Sequence, residues 1–229
     1  MIDEVALDFM ELRDLTNAIA SVKASGLRAV AVAPRVLKPE ESLGIWAALR
    51  DARPDAVLAR SAGLALIARA DEEARDIAIF GDTSLNAANA AAARQLVAAG
   101  DLQRLAPAFD LDAAQLAALA EQLGGDAAEL LECVLYARLP LFYTEHCVFA
   151  RHLSDGSSYR DCGHPCETAT VHLVDEAQRR HRVIADCGCR NTVFDATPTS
   201  AAPFLVDFHA AGIRRYRVEL ARTRRDVYL

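Results

Sequence analysis

Five of the six cysteines in this 229-residue chain, Cys147, Cys162, Cys166, Cys187 and Cys189, fall within a stretch of 43 residues; Cys133 stands apart in the apolar run Leu130–Tyr136. The N-terminus, MIDEVALDFMELRD, is acidic where a secretory leader would be basic and then apolar. No stretch approaches the ~20 uninterrupted apolar residues of a membrane helix. A soluble, cytoplasmic protein is expected, and in a reducing compartment clustered thiols are metal or redox ligands rather than disulfides. The spacings are Cys147-x14-Cys162, Cys162-x3-Cys166 and Cys166-x22-Cys189, with Cys187-x-Cys189 as a close pair. Structural zinc prefers two short C-x2-4-C loops, and Cys187-x-Cys189 is too tight for the usual turn. Iron–sulfur clusters tolerate irregular spacing. Spacing alone leaves both metals open. Cys133 reads as a small buried hydrophobe. His146, His152 and His164 flank the cluster and read as hydrogen-bonding neighbours rather than ligands.

The elements that must position these thiols change character along the chain. Up to Pro140, short β-branched runs alternate with Ala/Leu-rich segments of helical period, the pattern of βα units around a parallel sheet. Strands are expected at Val5–Phe9, Arg28–Ala33, Ala56–Ala59, Ile77–Phe80, Arg104–Ala108 and Glu129–Tyr136. Helices are expected at Leu12–Ser25, Glu40–Arg50, Ala62–Ala70, Leu85–Ala99 and Leu111–Leu123, with Gly26 and Gly100 closing two of them and Asp110 as an N-cap. Residues 141–167 have weak periodicity. Thr168–Val174 and His181–Asp186 then alternate as a hairpin around Asp175–Arg180, followed by a strand at Thr192–Asp195, a helix at Pro203–Ala211 ended by Gly212, and a last strand, Ile213–Leu220. A closed eight-stranded barrel needs ~250 residues. The expected fold is therefore α/β: an incomplete or atypical TIM-like (βα) barrel with a Cys-rich loop and β-hairpin insertion near the C-terminus. Its parts are 1–140 for the βα repeats, 141–190 for the cluster-binding insertion and 191–229 for the final elements of the same barrel.

In such a barrel the loops after the strands carry the chemistry. Asp82, Ser84, Asn86 and Asn89 follow one expected strand, Glu145 and His146 another, and Pro34 and Arg35 a third, so all are placed at one mouth with the thiols. Asp82, Glu145 and His146 are candidates for proton transfer; Ser84, Asn86, Asn89, Arg35 and Arg190 are candidates for substrate binding. Each has a plainer reading: Asp82 and Ser84 as caps of the Leu85 helix, Arg190 as a counter-charge to thiolates, Pro34 as a strand terminator, and Arg217 with Glu219 as an ion pair. The net charge of −7 hides an asymmetry: residues 1–145 carry 13 Lys and Arg against 22 Asp and Glu, whereas residues 146–229 carry 12 against 10. Six of the twelve residues from Arg214 to Arg225 are Arg, namely Arg214, Arg215, Arg217, Arg222, Arg224 and Arg225. They form either a solvated strand edge and tail or a surface for phosphates.

Three segments together, Leu139–Cys147 (LPLFYTEHC), Cys162–Cys166 (CGHPC) and Asp186–Phe194 (DCGCRNTVF), resemble the U32 peptidase, or collagenase-like, family. Phe80–Asn89 (FGDTSLNAAN) is similar to that family's strand-end motif, and the likeness runs from about Arg28 to Leu220. It implies a barrel-like fold and a four-iron four-sulfur cluster on Cys147, Cys162, Cys166 and Cys189, with zinc as the alternative metal. Cys189 directly precedes the Arg-Asn that accompanies the family's last ligand, which leaves Cys187 as a spare thiol able to exchange with it. Family members are implicated in oxygen-independent hydroxylation of RNA bases or of a quinone precursor, and in RNA modification; the peptidase label is older. The expected substrate is accordingly RNA or a small aromatic precursor. No Ser/His/Asp order or HExxH motif independently supports proteolysis. Family chains carry further βα units ahead of the matching region. This one is expected to be a short member, a fragment, or half of an assembly in which a partner subunit or second copy completes the barrel. In that last case it could be a non-catalytic metal-bearing subunit.

Overall fold

In the computed structural model, which describes residues 2–9, 12–156 and 158–220, strands and helices alternate as expected through the first part of the chain. They run β1 (Glu4–Leu7), α1 (Leu15–Ala24), β2 (Arg28–Val32), α2 (Pro39–Asp51), β3 (Ala56–Ala59), α3 (Ala62–Ala70), β4 (Ala78–Gly81), α4 (Ala90–Gly100), β5 (Arg104–Leu105), α5 (Ala113–Leu123), α6 (Ala127–Leu130) and β6 (Glu132–Ala137). There follow β7 (Pro140–Thr144), α7 (Val148–Leu153), β8 (Val171–Val174), β9 (Arg180–Asp186), β10 (Arg190–Phe194), β11 (Thr199–Ser200), α8 (Leu205–Ala210) and β12 (Arg215–Val218). The chain divides into two compact units, one of residues 1–134 and 201–217, the other of residues 135–200 and 218–229.

The first unit is built on a parallel sheet in the order β1-β2-β3-β4-β5, extended by a parallel bridge from Leu105 to Leu131 at the foot of β6, with β12 beside β6. Side-chain alternation gives the sheet two different faces. Val30, Val32, Ala56, Leu58, Ala78 and Phe80 form one buried apolar face. The opposite positions, Ala29, Ala31, Val57, Ala59, Ile79 and Gly81, are buried too and mostly small, which lets packed helices come close. A Cβ at Gly81 would lie within 2.9 Å of Leu85, Leu102 and Leu105. The sheet is rolled. Flat, five strands would hold β1 and β5 about 19 Å apart, yet the Arg104 guanidinium on β5 bonds both carboxylate oxygens of Glu4 on β1.

Several boundaries differ from those read in the sequence. Helix α4 begins at Ala90, not Leu85, because Asn86 takes a left-handed conformation (φ 57°) that ends a short 3-10 turn at Thr83–Leu85, and Asn89 then caps α4 through a 2.8 Å bond from the Ala92 amide. The cap of α5 is Asp112 rather than Asp110, in a reciprocal capping box with Gln115. Gly100 is the last helical residue and Asp101 takes the left-handed position; Gly100 is small because a Cβ there would press on Ala65 and Leu102 at 3.0–3.2 Å. Gly26 and Gly212 do close their helices with positive φ. Glu129 and Leu130, read as the start of a strand, instead end the short helix α6.

The second unit centres on an antiparallel sheet in the order β7-β10-β9-β8. The predicted hairpin is β8 and β9, paired from Val171↔Val183 to Val174↔Arg180. The region after Pro140 contains strand β7 and helix α7, which weak periodicity concealed. Short elements with one buried residue, Phe149 in α7, or none, as in β7, leave little pattern.

Candidate functional site

Within the first unit, side chains of alternating charge form a continuous chain. Asp8, after β1, meets Arg60, after β3, at 2.8 Å; Arg60 Nε meets Asp82, after β4, at 3.0 Å; and Arg217 on β12 donates to Asp82 at 2.5 Å. Arg217 also faces Glu132 on β6 at 3.6 Å, Glu132 accepts from Arg104 at 3.1 Å, Arg104 bonds Glu4, and Glu4 faces Arg28 at 3.6 Å. The Arg104 guanidinium lies 4.1 Å from the centre of the Phe80 ring, so its face is covered by an aromatic while its edge is spent on carboxylates. Asp82 is 4% exposed and also accepts the Thr83 amide at 2.8 Å. Burial works against its charge, but the guanidiniums of Arg217 and Arg60 overcome it and hold the carboxyl at about 2. Such a group suits an anchoring anion better than a proton carrier.

The other residues of that loop have local tasks. Ser84 Oγ donates to the Arg60 carbonyl at 2.8 Å. Asn86 supplies the left-handed turn and Asn89 the helix cap, and both side chains lie at the surface. Arg35 follows β2, half-buried, beside a buried Pro34.

The second unit holds the predicted ligands. Cys147 caps α7, Cys162 and Cys166 flank the turn Gly163–Pro165, and Cys189 ends the turn after β9. Two pairs of successive residues adopt left-handed backbone, Gly163 with His164 and Gly188 with Cys189. Each pair bends the chain sharply beside a predicted ligand. Burial raises the Cys166 thiol above its ordinary value, and the nearby thiols of Cys147, Cys162 and Cys189 raise it further. The thiols of Cys147, Cys162 and Cys189 therefore lie within electrostatic range of Cys166. All six cysteines are free thiols, and among the described residues no three His, Cys, Asp or Glu side chains converge into a site for a single metal ion.

The surroundings of the thiols are polar. Cys147 Sγ faces two donors, the Ala150 amide at 3.5 Å and Asn191 Nδ2 at 3.8 Å. Arg190, 7% exposed at its side chain, donates through Nε to Glu145 at 2.8 Å and through Nη1 to the Cys187 carbonyl at 3.2 Å. It packs across the tight turn so closely that a Cβ on Gly188 would lie 2.9 Å from Nη1. His146 is exposed, with its amide bonded to Thr144 Oγ1. His164 bridges Glu167 and the Tyr159 carbonyl, tying the Cys162–Cys166 loop to itself. Cys133 belongs to the first unit, 2% exposed, and burial followed by the Glu132 charge pushes its thiol up to about 11, as an inert core residue requires.

Sequence reading missed Arg60, Arg104 and Glu132, whose only signal was a charge inside or just beyond an otherwise apolar strand. It also passed over Asn191 beyond its place in the Arg-Asn pair. Arg217 was read beside Glu219, whereas its guanidinium serves Asp82 and Glu132. Arg222, Arg224 and Arg225 lie outside the described residues.

Comparison with known proteins follows the same line. Among solved structures the chain aligns with the U32 peptidase Mk0906 at 12% identity and a TM-score of 0.46, over 59% of this chain and 61% of that one. It also aligns with a "putative fructose-1,6-biphosphate aldolase" from Coccidioides immitis at 16% identity and a TM-score of 0.32, over 58% and 64%. Each alignment thus spans less than two thirds of the solved chain. No curated protein sequence matches. The model of peptidase family U32 matches residues 6–229, nearly the whole chain and every segment on which the resemblance was drawn, and the protein belongs to that family.

Proposed function

We propose that this U32 protein holds a four-iron four-sulfur cluster on Cys147, Cys162, Cys166 and Cys189 and serves an oxygen-independent hydroxylation or an RNA modification on an incomplete TIM-like barrel. The observation that carries this reading is that the thiols of Cys147, Cys162 and Cys189 all lie near enough to Cys166 to raise it. The donor set fits the group: four cysteines, one for each iron, with amide donors at Cys147 and a guanidinium beside the Cys187–Cys189 turn. When bound, the cluster would supply one-electron transfer.

The chain's own residues do the rest. Arg190 fixes the last ligand turn and holds the Glu145 carboxylate near it. Glu145 and His146, both exposed, are the groups we assign to proton transfer with a substrate or with water. Asp82, Arg60 and Ser84, at the ends of parallel strands, organise the first unit's own strand-end surface. RNA or a small aromatic precursor remains the proposed substrate, and a second subunit or copy the proposed complement to the sheet.

Anaerobic purification with iron and sulfide assay and a visible spectrum tests the reading. Near-stoichiometric iron and sulfide with a broad visible band, lost in Cys189→Ala, is the expected result. Zinc, or a folded protein without metal, would overturn it. The peptidase reading rests on the family's name; hydrolysis of gelatin that survives Cys189→Ala would put it first.

A further inference from the structure

Asn191 is fully buried, yet all its polar atoms point at the thiol region. Its Oδ1 accepts the Val148 amide at 2.7 Å, and its Nδ2 reaches both Cys147 Sγ at 3.8 Å and the Cys189 carbonyl at 3.4 Å. The orientation of the amide is not arbitrary. A backbone N–H can only donate and a carbonyl can only accept, so the Val148 and Cys189 contacts together fix which end is oxygen. One side chain on β10 thereby ties together two segments that are 42 residues apart in sequence: the turn that starts α7 with Cys147 and the turn that ends with Cys189.

We propose that Asn191 is a positioning residue which clasps the Cys147 and Cys189 turns in ligating register and, through its N–H directed at the Cys147 sulfur, raises the reduction potential of the cluster those turns would hold. This rests on the iron–sulfur reading for its second half only; the clasp is a property of the metal-free chain. Hydrogen bonds to ligand sulfurs stabilise the more negative, reduced cluster, which is why their loss lowers the potential. A buried amide with three partners has no cheaper arrangement available, since releasing any of them strands a polar atom out of water.

Three variants separate the two halves. Asn191→Leu removes acceptor and donors while keeping the branched shape and the number of side-chain heavy atoms. Asn191→Asp keeps the acceptor for Val148 and loses the donors. Val148→Pro removes the amide that aims the side chain, at the first helical position, where proline is tolerated. In the metal-free chain, amide hydrogen exchange at Val148 is expected to quicken roughly tenfold or more in Asn191→Leu and to stay near the wild-type rate in Asn191→Asp. In the reconstituted protein, both Asn191 variants are expected to lose iron to a chelator severalfold faster and to show a lower reduction potential; the leucine variant shows that shift without an added charge. Val148→Pro is expected to lose iron faster as well, and decides the matter if neither Asn191 variant folds. Unchanged exchange at Val148 in a folded Asn191→Leu would overturn the clasp. Wild-type potential and iron retention in folded Asn191 variants, or wild-type iron retention in Val148→Pro should those variants not fold, would overturn the tuning. A wild-type chain that takes up no iron would refute the cluster, and with it the tuning, while the exchange result still judges the clasp.

Discussion

Asp82→Ala is the perturbation with the most to say about the first unit. It leaves the guanidiniums of Arg60 and Arg217 buried, with Arg60 falling back on Asp8 and Arg217 on Glu132 at 3.6 Å. Removing one partner of a buried pair costs about 3–5 kcal/mol, a large part of a typical 5–15 kcal/mol. The same group gives an independent measure through pH. Its folded value is depressed from 3.8 to about 2, so its contribution is complete above pH 4 and is lost as pH falls from about 4 towards 2. That difference corresponds to about 2.5 kcal/mol. Trp46, the sole tryptophan and 4% exposed in the first unit, reports unfolding by fluorescence in urea. Expected are a lower midpoint for Asp82→Ala at pH 7, a shallower loss of stability between pH 4 and 2 than in the wild type, and partial recovery in Asp82→Leu/Arg217→Met. A single variant within about 1 kcal/mol of wild type at pH 7, or a double variant as unstable as the sum of its singles, would refute the reasoning.

Three further outcomes are expected. Gly188→Ala forces a β-carbon against Arg190 at a position with φ 72° and should cost about 1–3 kcal/mol and lower the iron-to-protein ratio on reconstitution. Gly156→Ala would place its Cβ on the Asp161 backbone, which a rotamer change cannot relieve; amide exchange at residues 158–162 should rise and metal uptake fall. Gly81→Ala meets only the flexible ends of three leucines, so thermal unfolding should show a loss of about 1–3 kcal/mol, with iron uptake unchanged.

The parallel sheet was legible because β2, β3 and β4 are short apolar runs flanked by amphipathic helices, a pattern that survives without tertiary context. What hid was decided by competing local turns or by contacts distant in sequence. The helix after β4 starts late because Asp82 and Asn86 make a separate turn, and an Asp-x-x-x-Asn-x-x-Asn string offers three plausible caps. β7 and α7 hid because neighbouring strands and turns, not periodicity, stabilise them. The clustering of thiols was plain in the sequence and the set of four was implied by the family resemblance, whereas Asn191 shows only in the folded chain: a lone asparagine next to an arginine carries no periodic or compositional mark. Likewise Arg104 and Glu132 looked like strand residues of unsuitable type until their partners, on β1 and β12, were in view.

The charge chain also bears on how the protein is made. Glu4 and Arg104 are 100 residues apart and Asp82 and Arg217 are 135 apart. Such pairs form only after long loops close and water leaves, so they belong to the last steps of folding rather than to its nucleus. Substitutions at Glu4 or Arg217 should therefore quicken unfolding far more than they slow refolding. During synthesis β1 emerges long before Arg104, and the chain must reach β12 before Arg217 can meet Asp82.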